Sequence, residues 1–132
     1  MAQDDFYIEK KVYYHDTDAG GVVYYARYLA MLEEARTELC LKKGFDCAEW
    51  LKKGFAFVVV HCAADYRRPA RYGDTVSVTA RVARIGNSSV EFEQEIVKDD
   101  TVLVNARVIW ACVGGDFKTR PVPEEIRARL AA

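Results

Sequence analysis

The stretch HDTDAGGVVYYARYLAMLEEARTELCLKK, from His15 to Lys43, decides how this chain folds. Its second part, from Ala26 to Lys43, carries apolar residues at helical spacing and leads into Gly44, a residue type that commonly ends helices. The pattern therefore predicts one long amphipathic helix. Its apolar stripe consists of Tyr28, Leu32, Ala35 and Leu39, widened by Leu29 and Met31.

The rest of the chain is mostly patterned for strands. A first strand is predicted from Tyr7 to Tyr14, and a short helix from Cys47 to Lys53 follows the long one. Alternating apolar residues then predict strands at 56–67, 75–82, 90–96 and 102–113, before a tail helix at 124–130. Only a curved sheet can cover the stripe of a single long helix. We therefore predict an α+β fold, with a curved antiparallel sheet wrapped around one central helix, as a single domain over residues 1–132.

Composition excludes several functional classes. A length of 132 residues suits one domain, and a net charge of −1 gives no reason to expect a nucleic-acid partner. No apolar run approaches the roughly 20 residues of a membrane-spanning helix. The acidic start, Met1 to Asp5, lacks the basic-then-apolar order of a signal peptide. We expect a cytoplasmic protein without a membrane span.

The cysteines and histidines do not predict a metal site. The chain has four cysteines and two histidines, and no two cysteines form a Cys-x-x-Cys pair. Cys62 and Cys112 lie in apolar strand patterns, where a free thiol behaves as a small hydrophobic group. His15 precedes Asp18 by three residues, so in an extended segment the two side chains point to opposite faces. Neither His15 nor His61 is expected to be catalytic.

The segment before the long helix has the parts of an acyl-transfer site. Asp18 supplies a carboxylate, Gly20 and Gly21 allow close approach of a ligand, and a helix start offers unpaired N–H groups. Together they suit attack on a carbonyl whose oxygen becomes an anion. The structural alternative is that Asp18 caps the helix or a turn and that the glycines form an ordinary loop.

The stretch from Thr17 to Tyr24, TDAGGVVY, resembles the active-site signature of the 4-hydroxybenzoyl-CoA thioesterase family. In particular it resembles the Tol-Pal-associated YbgC-type acyl-CoA thioesterases, and the ending KTRPVPE, residues 118–124, is similar as well. The resemblance covers nearly the whole chain and implies the hotdog fold. It implies hydrolysis of a short-chain aliphatic or aromatic acyl-CoA to free acid and coenzyme A, with no cofactor because coenzyme A is part of the substrate.

The resemblance also assigns residues. Asp18 is the catalytic carboxylate, either as a nucleophile that forms an acyl anhydride or as a general base for water. The backbone N–H of Tyr25 is the oxyanion donor, at a position where YbgC-type proteins commonly have histidine. The residues expected to contact the substrate lie near the thioester, along the pantetheine arm and near the phosphates of coenzyme A. The phosphate contacts are expected at the end of a basic segment that begins at Arg67. All the expected contact residues are Gly20, Gly21, Val59, Val60, Arg84, Ser88 and Ser89.

Other functions of the same fold remain as alternatives. One is a dehydratase, although His15 and His61 fit its pattern poorly; another is a non-catalytic or carrier-protein-directed acyl-binding module. The exposed edges of a lone sheet favour pairing. The resemblance likewise implies a homodimer or a dimer of dimers, a homotetramer. The expected partners are therefore an acyl-CoA substrate, further copies of the chain and, as an alternative thiol carrier, acyl carrier protein.

Overall fold

Six antiparallel strands form one sheet that packs against a single long helix in the computed structural model, which describes residues 6–132. The predicted absence of a signal peptide concerns Met1 to Asp5, which lie outside the described residues. The elements are β1 (Tyr7–Lys11), α1 (Tyr25–Lys42), α2 (Cys47–Lys52), β2 (Ala56–Tyr66), β3 (Thr75–Thr79), β4 (Arg81–Ile85), β5 (Ser89–Lys98), β6 (Thr101–Val113) and α3 (Glu124–Ala131). Along the sheet the strand order is β1-β3-β5-β6-β2, and β4 pairs with β5.

The core lies between α1 and the sheet, as the sequence predicts. The stripe of α1 is buried, and Val90, Phe92 and Ile96 of β5 are fully buried opposite it. Leu29 is the exception to the predicted stripe, because its side chain is 39% exposed beside β2. Of the two strand cysteines, Cys112 is buried as predicted, whereas Cys62 on β2 is exposed. Strand β2 is the last strand of the sheet, so no further strand covers the side of α1 that lies beside it.

The first strand is shorter than predicted. It ends at Lys11, which pairs with Thr75, the first residue of β3; Val12 beyond it is hydrogen-bonded to Asp74 and Gly73 in the loop before that strand. A single 3₁₀ turn, Tyr14–Asp16, then leads into the signature loop. The aromatic residues that suggested a longer strand, Tyr13 and Tyr14, are exposed.

The predicted strand over residues 75–82 is divided into β3 and β4 at Ala80. The Ala80 N–H donates to Phe6, and the carbonyl of Thr79 accepts from the side-chain amide of Gln94. A side chain thus replaces a sheet hydrogen bond at this point. The alternation of apolar residues continues across the break, so the pattern alone does not reveal it.

Strand β2 is the edge that bears on the site. It pairs with β6 on one side only, and a bulge between Val59 and His61 leaves Val60 without a partner in the register. Val59 and Val60 are 51% and 61% exposed. The other predicted ends differ by one to three residues: α1 begins at Tyr25 and ends at Lys42, α2 ends at Lys52, β2 at Tyr66, β4 at Ile85 and α3 at Ala131, while β5 spans Ser89–Lys98 and β6 begins at Thr101. No helix in the described part of the chain has the length and apolar character to cross a membrane.

Candidate active site

Residues 17–23 form a tight hairpin that presents Asp18 in front of α1. Thr17 and Val23 pair across it, and the Asp18 N–H donates to Val22 at 2.9 Å. The Gly21 N–H donates back to the Asp18 carbonyl at 3.0 Å, and Gly21 has a φ of +76°. That dihedral favours glycine over any other residue, so the second glycine of the pair serves the turn.

The Asp18 carboxylate is exposed, and one of its oxygens is engaged locally. Oδ1 accepts the Gly20 N–H at 2.8 Å, and a Cβ at Gly20 would stand 3.2 Å from the same oxygen. The structural alternative is therefore correct for the turn, where Asp18 acts as an Asx-type residue. It is wrong for the helix, whose N-cap is Tyr24. Within the described residues no hydrogen bond occupies Oδ2, which leaves it available to a ligand.

The start of α1 presents unpaired donors beside this carboxylate. Tyr24 precedes the helix without a side-chain cap, and the Arg27 N–H turns back to the Tyr24 carbonyl at 2.8 Å. Tyr25 is the first helical residue, and its N–H has no acceptor in the part of the chain that the structure describes. Such a group carries partial positive charge. Asp18 and Tyr25 therefore supply a carboxylate and an N–H suited to binding an anion at the start of α1.

Asp16 fixes the hairpin to the helix. Its buried carboxylate accepts the Tyr13 N–H at 2.9 Å and both Nε and Nη2 of Arg27, at 3.0 and 2.9 Å. The Tyr24 N–H donates to the Asp16 carbonyl at 2.9 Å. Burial alone would raise the pKa of Asp16, but the Tyr13 N–H and the Arg27 guanidinium outweigh it and hold this pKa below its ordinary value. Asp16 is thus an ionised anchor rather than a proton donor.

The two histidines do not contact Asp18. The exposed ring of His15 stacks on Tyr13 and lies 3.4 Å from Asp16, not against Asp18. His61 is exposed on β2. Neither side chain lines the cavity with Asp18.

A cavity of about 320 Å³ joins the hairpin, the start of α1 and the end of β2. Its aromatic wall is formed by Tyr25, Tyr28 and Tyr66, whose ring centroids lie 5.7 Å (Tyr28–Tyr66) and 6.1 Å (Tyr25–Tyr66) apart. The Tyr28 hydroxyl accepts the Ala70 N–H at 2.9 Å. Burial raises the pKa of both Tyr28 and Tyr66, so these phenols stay neutral. The remaining lining residues are Asp18, Val22, Val23, Arg67, Arg68 and Pro69.

Sequence reasoning missed part of this wall. Tyr66 has no local signal, because it is simply the last residue of a strand and only the tertiary fold brings it to α1. Tyr28 is predicted as a core residue, and it is buried as predicted, but its side chain also lines the cavity. Arg67 and Arg68 were predicted as the start of a basic segment, and they are the members of that segment that reach this cavity.

The other predicted substrate residues do not line this cavity in one chain. Gly20 and Gly21 belong to the Asp18 turn, and Val59 and Val60 lie further along the exposed edge of β2. Arg84 on β4 faces the end of α3. Ser88 and Ser89 lie at the neighbouring turn, where the Ser88 carbonyl accepts the Cys112 N–H. The cavity that Asp18 lines does not include Arg84, Ser88 or Ser89.

Comparison with known proteins shows which family this chain resembles. Residues 20–105 match the thioesterase superfamily. The chain is 38% identical over 130 residues to the acyl-CoA thioesterase YbgC of Haemophilus influenzae, covering 97% of this chain and 96% of that protein. A crystal structure of a 1,4-dihydroxy-2-naphthoyl-CoA thioesterase from Synechocystis superimposes with a TM-score of 0.89 at 25% identity, covering 96% of both chains. A probable thioesterase from Bartonella henselae gives 0.84 at 32% identity, covering 90% of this chain and 99% of that one.

Proposed function

The chain belongs to the thioesterase superfamily, and from this premise we propose that it hydrolyses an acyl-CoA thioester to a free carboxylic acid and coenzyme A. The observation that carries the proposal is that Asp18 and Tyr25, whose N–H has no acceptor among the described residues, line the same cavity. A carboxylate and an anion-binding donor are the two groups that thioester hydrolysis requires. A purely acyl-binding module would need neither at the carbonyl.

In the proposed reaction the thioester carbonyl oxygen accepts the Tyr25 N–H. As a nucleophile, Asp18 attacks the carbonyl carbon, the carbon–sulfur bond breaks with release of coenzyme A, and water then cleaves the mixed anhydride. As a general base, Asp18 takes a proton from the water that attacks the carbonyl carbon, and the proton passes to the departing thiolate. Both routes place negative charge on the same oxygen, and both use the free Oδ2 of Asp18.

The side chains that line the site indicate the chemical class of the proposed substrate. The tyrosine rings suit a short-chain aliphatic or aromatic acyl group next to the thioester. The guanidinium groups of Arg67 and Arg68 suit the phosphates of coenzyme A, together with the predicted contacts at Arg84, Ser88 and Ser89. Gly20 and Gly21 would border the thioester, with Val59 and Val60 along the pantetheine arm. No cofactor enters the proposal, and a cytoplasmic location remains the prediction.

The proposed working unit is a homodimer or a dimer of dimers. The free edge of β2 supports it, because an exposed edge with apolar side chains is suited to pairing with a second copy. Pairing would also explain why Arg84, Ser88 and Ser89 are absent from the Asp18 cavity of one chain. In an isologous dimer the partner subunit can supply such residues to the site.

Thiol release from a substrate panel tests the proposal. The panel contains short-chain aliphatic and aromatic acyl-CoAs, the same acyl groups on acyl carrier protein, and a 3-hydroxyacyl-CoA. We expect the free thiol and the free acid to appear in equal amounts from the acyl-CoAs. Faster cleavage of the carrier-protein thioesters would reassign the carrier. An enoyl product from the 3-hydroxyacyl-CoA without thiol release, or binding without any turnover, would overturn the hydrolase.

A further inference from the structure

Arg36 is a buried cation whose guanidinium is incompletely paired. Its side chain belongs to the buried face of α1, where the residue is only 5% exposed. Nη1 donates to Oε1 of Gln94 at 3.0 Å, and Nε is buried with no acceptor. Among the described residues Arg36 forms no salt bridge. A buried charge with a single neutral acceptor is costly unless another anion joins it, so this group calls for an explanation beyond packing.

Gln94 holds the guanidinium in one orientation. Its amide nitrogen donates to the carbonyls of Leu32 at 2.9 Å and Thr79 at 3.0 Å, which fixes Oε1 toward Arg36. Since Nη1 is occupied and Nε is enclosed by protein, Nη2 is the group of the guanidinium with N–H donors left for a ligand. An N–H of a charged guanidinium forms a strong hydrogen bond with a carboxylate.

Arg36 also lines a second cavity of about 210 Å³ between α1 and β2, which we call the inner cavity. Its other walls are almost entirely apolar: Leu29, Leu32, Val59, Cys62 and Val108. On α1 the lining residues Leu29, Leu32 and Arg36 continue the helix face that Tyr25 begins in the active-site cavity. Eleven residues separate Tyr25 from Arg36, about 16 Å along the helix axis. The two cavities therefore lie one after the other beside β2.

We propose that the inner cavity receives the far end of the acyl chain and that Arg36 binds a carboxylate there, so that the substrate is an ω-carboxyacyl-CoA. This inference rests on the proposed function, and it moves Val59 from the pantetheine arm to the acyl chain. The apolar walls suit the methylene groups of the chain, and the terminal carboxylate supplies the anion that Arg36 lacks. The distance along α1 requires an acyl chain of intermediate length, because a shorter diacid would not reach the guanidinium.

Matched pairs of substrates test the inference. Values of kcat/KM are compared for adipoyl-, suberoyl- and sebacoyl-CoA against hexanoyl-, octanoyl- and decanoyl-CoA, with thiol release as the readout. We expect at least one ω-carboxyl member to exceed its methyl-terminated partner by roughly 10- to 100-fold, the factor that one charge-assisted hydrogen-bonded pair provides. Arg36→Met should abolish this ratio, and Arg36→Lys should retain part of it. A ratio is informative even where a variant is less stable or less active.

The outcomes separate this inference from the proposed function. If the protein cleaves acyl-CoAs but shows no preference for a terminal carboxylate at any length, the inference is wrong and the proposed function stands. The same holds if Arg36→Met lowers both members of a pair equally, since Arg36 would then serve the fold or the subunit contact. If no acyl-CoA is cleaved, the proposed function itself fails.

Discussion

The Asp18 carboxylate has one oxygen bound to the Gly20 N–H, and the other has no hydrogen-bond partner among the described residues. The first contact restricts the rotation of the carboxylate and so orients the second oxygen, Oδ2, which is the one available to a substrate. Gly20 allows this because a Cβ there would stand 3.2 Å from Oδ1. The sequence predicted Asp18, both glycines and Tyr25 as a group. It could not predict the opposite wall, because Tyr66 comes from a distant strand.

The Tyr25 N–H can be removed without breaking the helix. Tyr25 is the first helical residue, a position that tolerates proline, and Tyr24 already has φ −62° and ψ 130°, which a following proline favours. We expect Tyr25→Pro to lower kcat by about 10²- to 10³-fold, the usual cost of losing one oxyanion donor. Tyr25→Phe, the matched control, should lose far less. Equal losses in both variants would implicate the phenol instead of the backbone; circular dichroism checks that α1 persists.

At the scale of elements, one buried carboxylate joins the signature hairpin to α1. Asp16 accepts from Tyr13 in the 3₁₀ turn and from Arg27 in the first turn of the helix. The alternation of the strands was predictable because one face of the sheet is buried. The division at Ala80 was not, since it depends on Gln94 reaching the Thr79 carbonyl from another strand. Local patterns predict an element; side chains from elsewhere decide where it stops.

Asp16 should stabilise the protein at neutral pH and cease to do so in acid. Its pKa in the folded state lies below the ordinary value of 3.8. The contribution is therefore complete above that value and is lost as the pH falls through the lower folded pKa. We expect Asp16→Asn to reduce the free energy of unfolding by about 1–2 kcal/mol at pH 7, and the difference from the parent protein to shrink in acid.

Urea denaturation at several pH values measures this effect. Asp116→Asn is the matched control, because Asp116 forms an exposed pair with Arg120 and its loss should matter much less. A difference between Asp16→Asn and the parent protein that is constant down to strongly acid pH would contradict the ionised-anchor role.

At the scale of the whole molecule, the sheet has an unpaired edge at β2 next to both cavities. Val59 lies on that edge and also lines the inner cavity. The fold, a sheet wrapped around one helix, follows from one helix stripe and the strand patterns after it, whereas the order of the strands in the sheet does not. The composition of the complete site does not follow either, because Arg84, Ser88 and Ser89 lie away from Asp18 in one chain. Residues contributed by a second copy leave no pattern in the sequence of the first.

A charge on the β2 edge should separate the subunits and remove activity together. In a symmetric pair, Val59→Asp would bring like charges toward one contact and bury them at a cost. Light scattering should show a monomer, and thiol release should fall with it, although Asp18 is untouched. Leu51→Asp, on an exposed and apolar position of α2, is the matched control and should preserve assembly. A fully active monomer would refute the shared site.

The most direct test of the central claim is the turnover of Asp18→Asn on an acyl-CoA that the parent protein cleaves. The substitution keeps the size of the side chain and an acceptor for the Gly20 N–H, but it removes the charged oxygen that attacks or takes a proton. We predict that kcat falls by at least about 10²-fold, while a non-hydrolysable acyl-CoA thioether still binds. A folded Asp18→Asn protein with near-parental turnover would contradict the account.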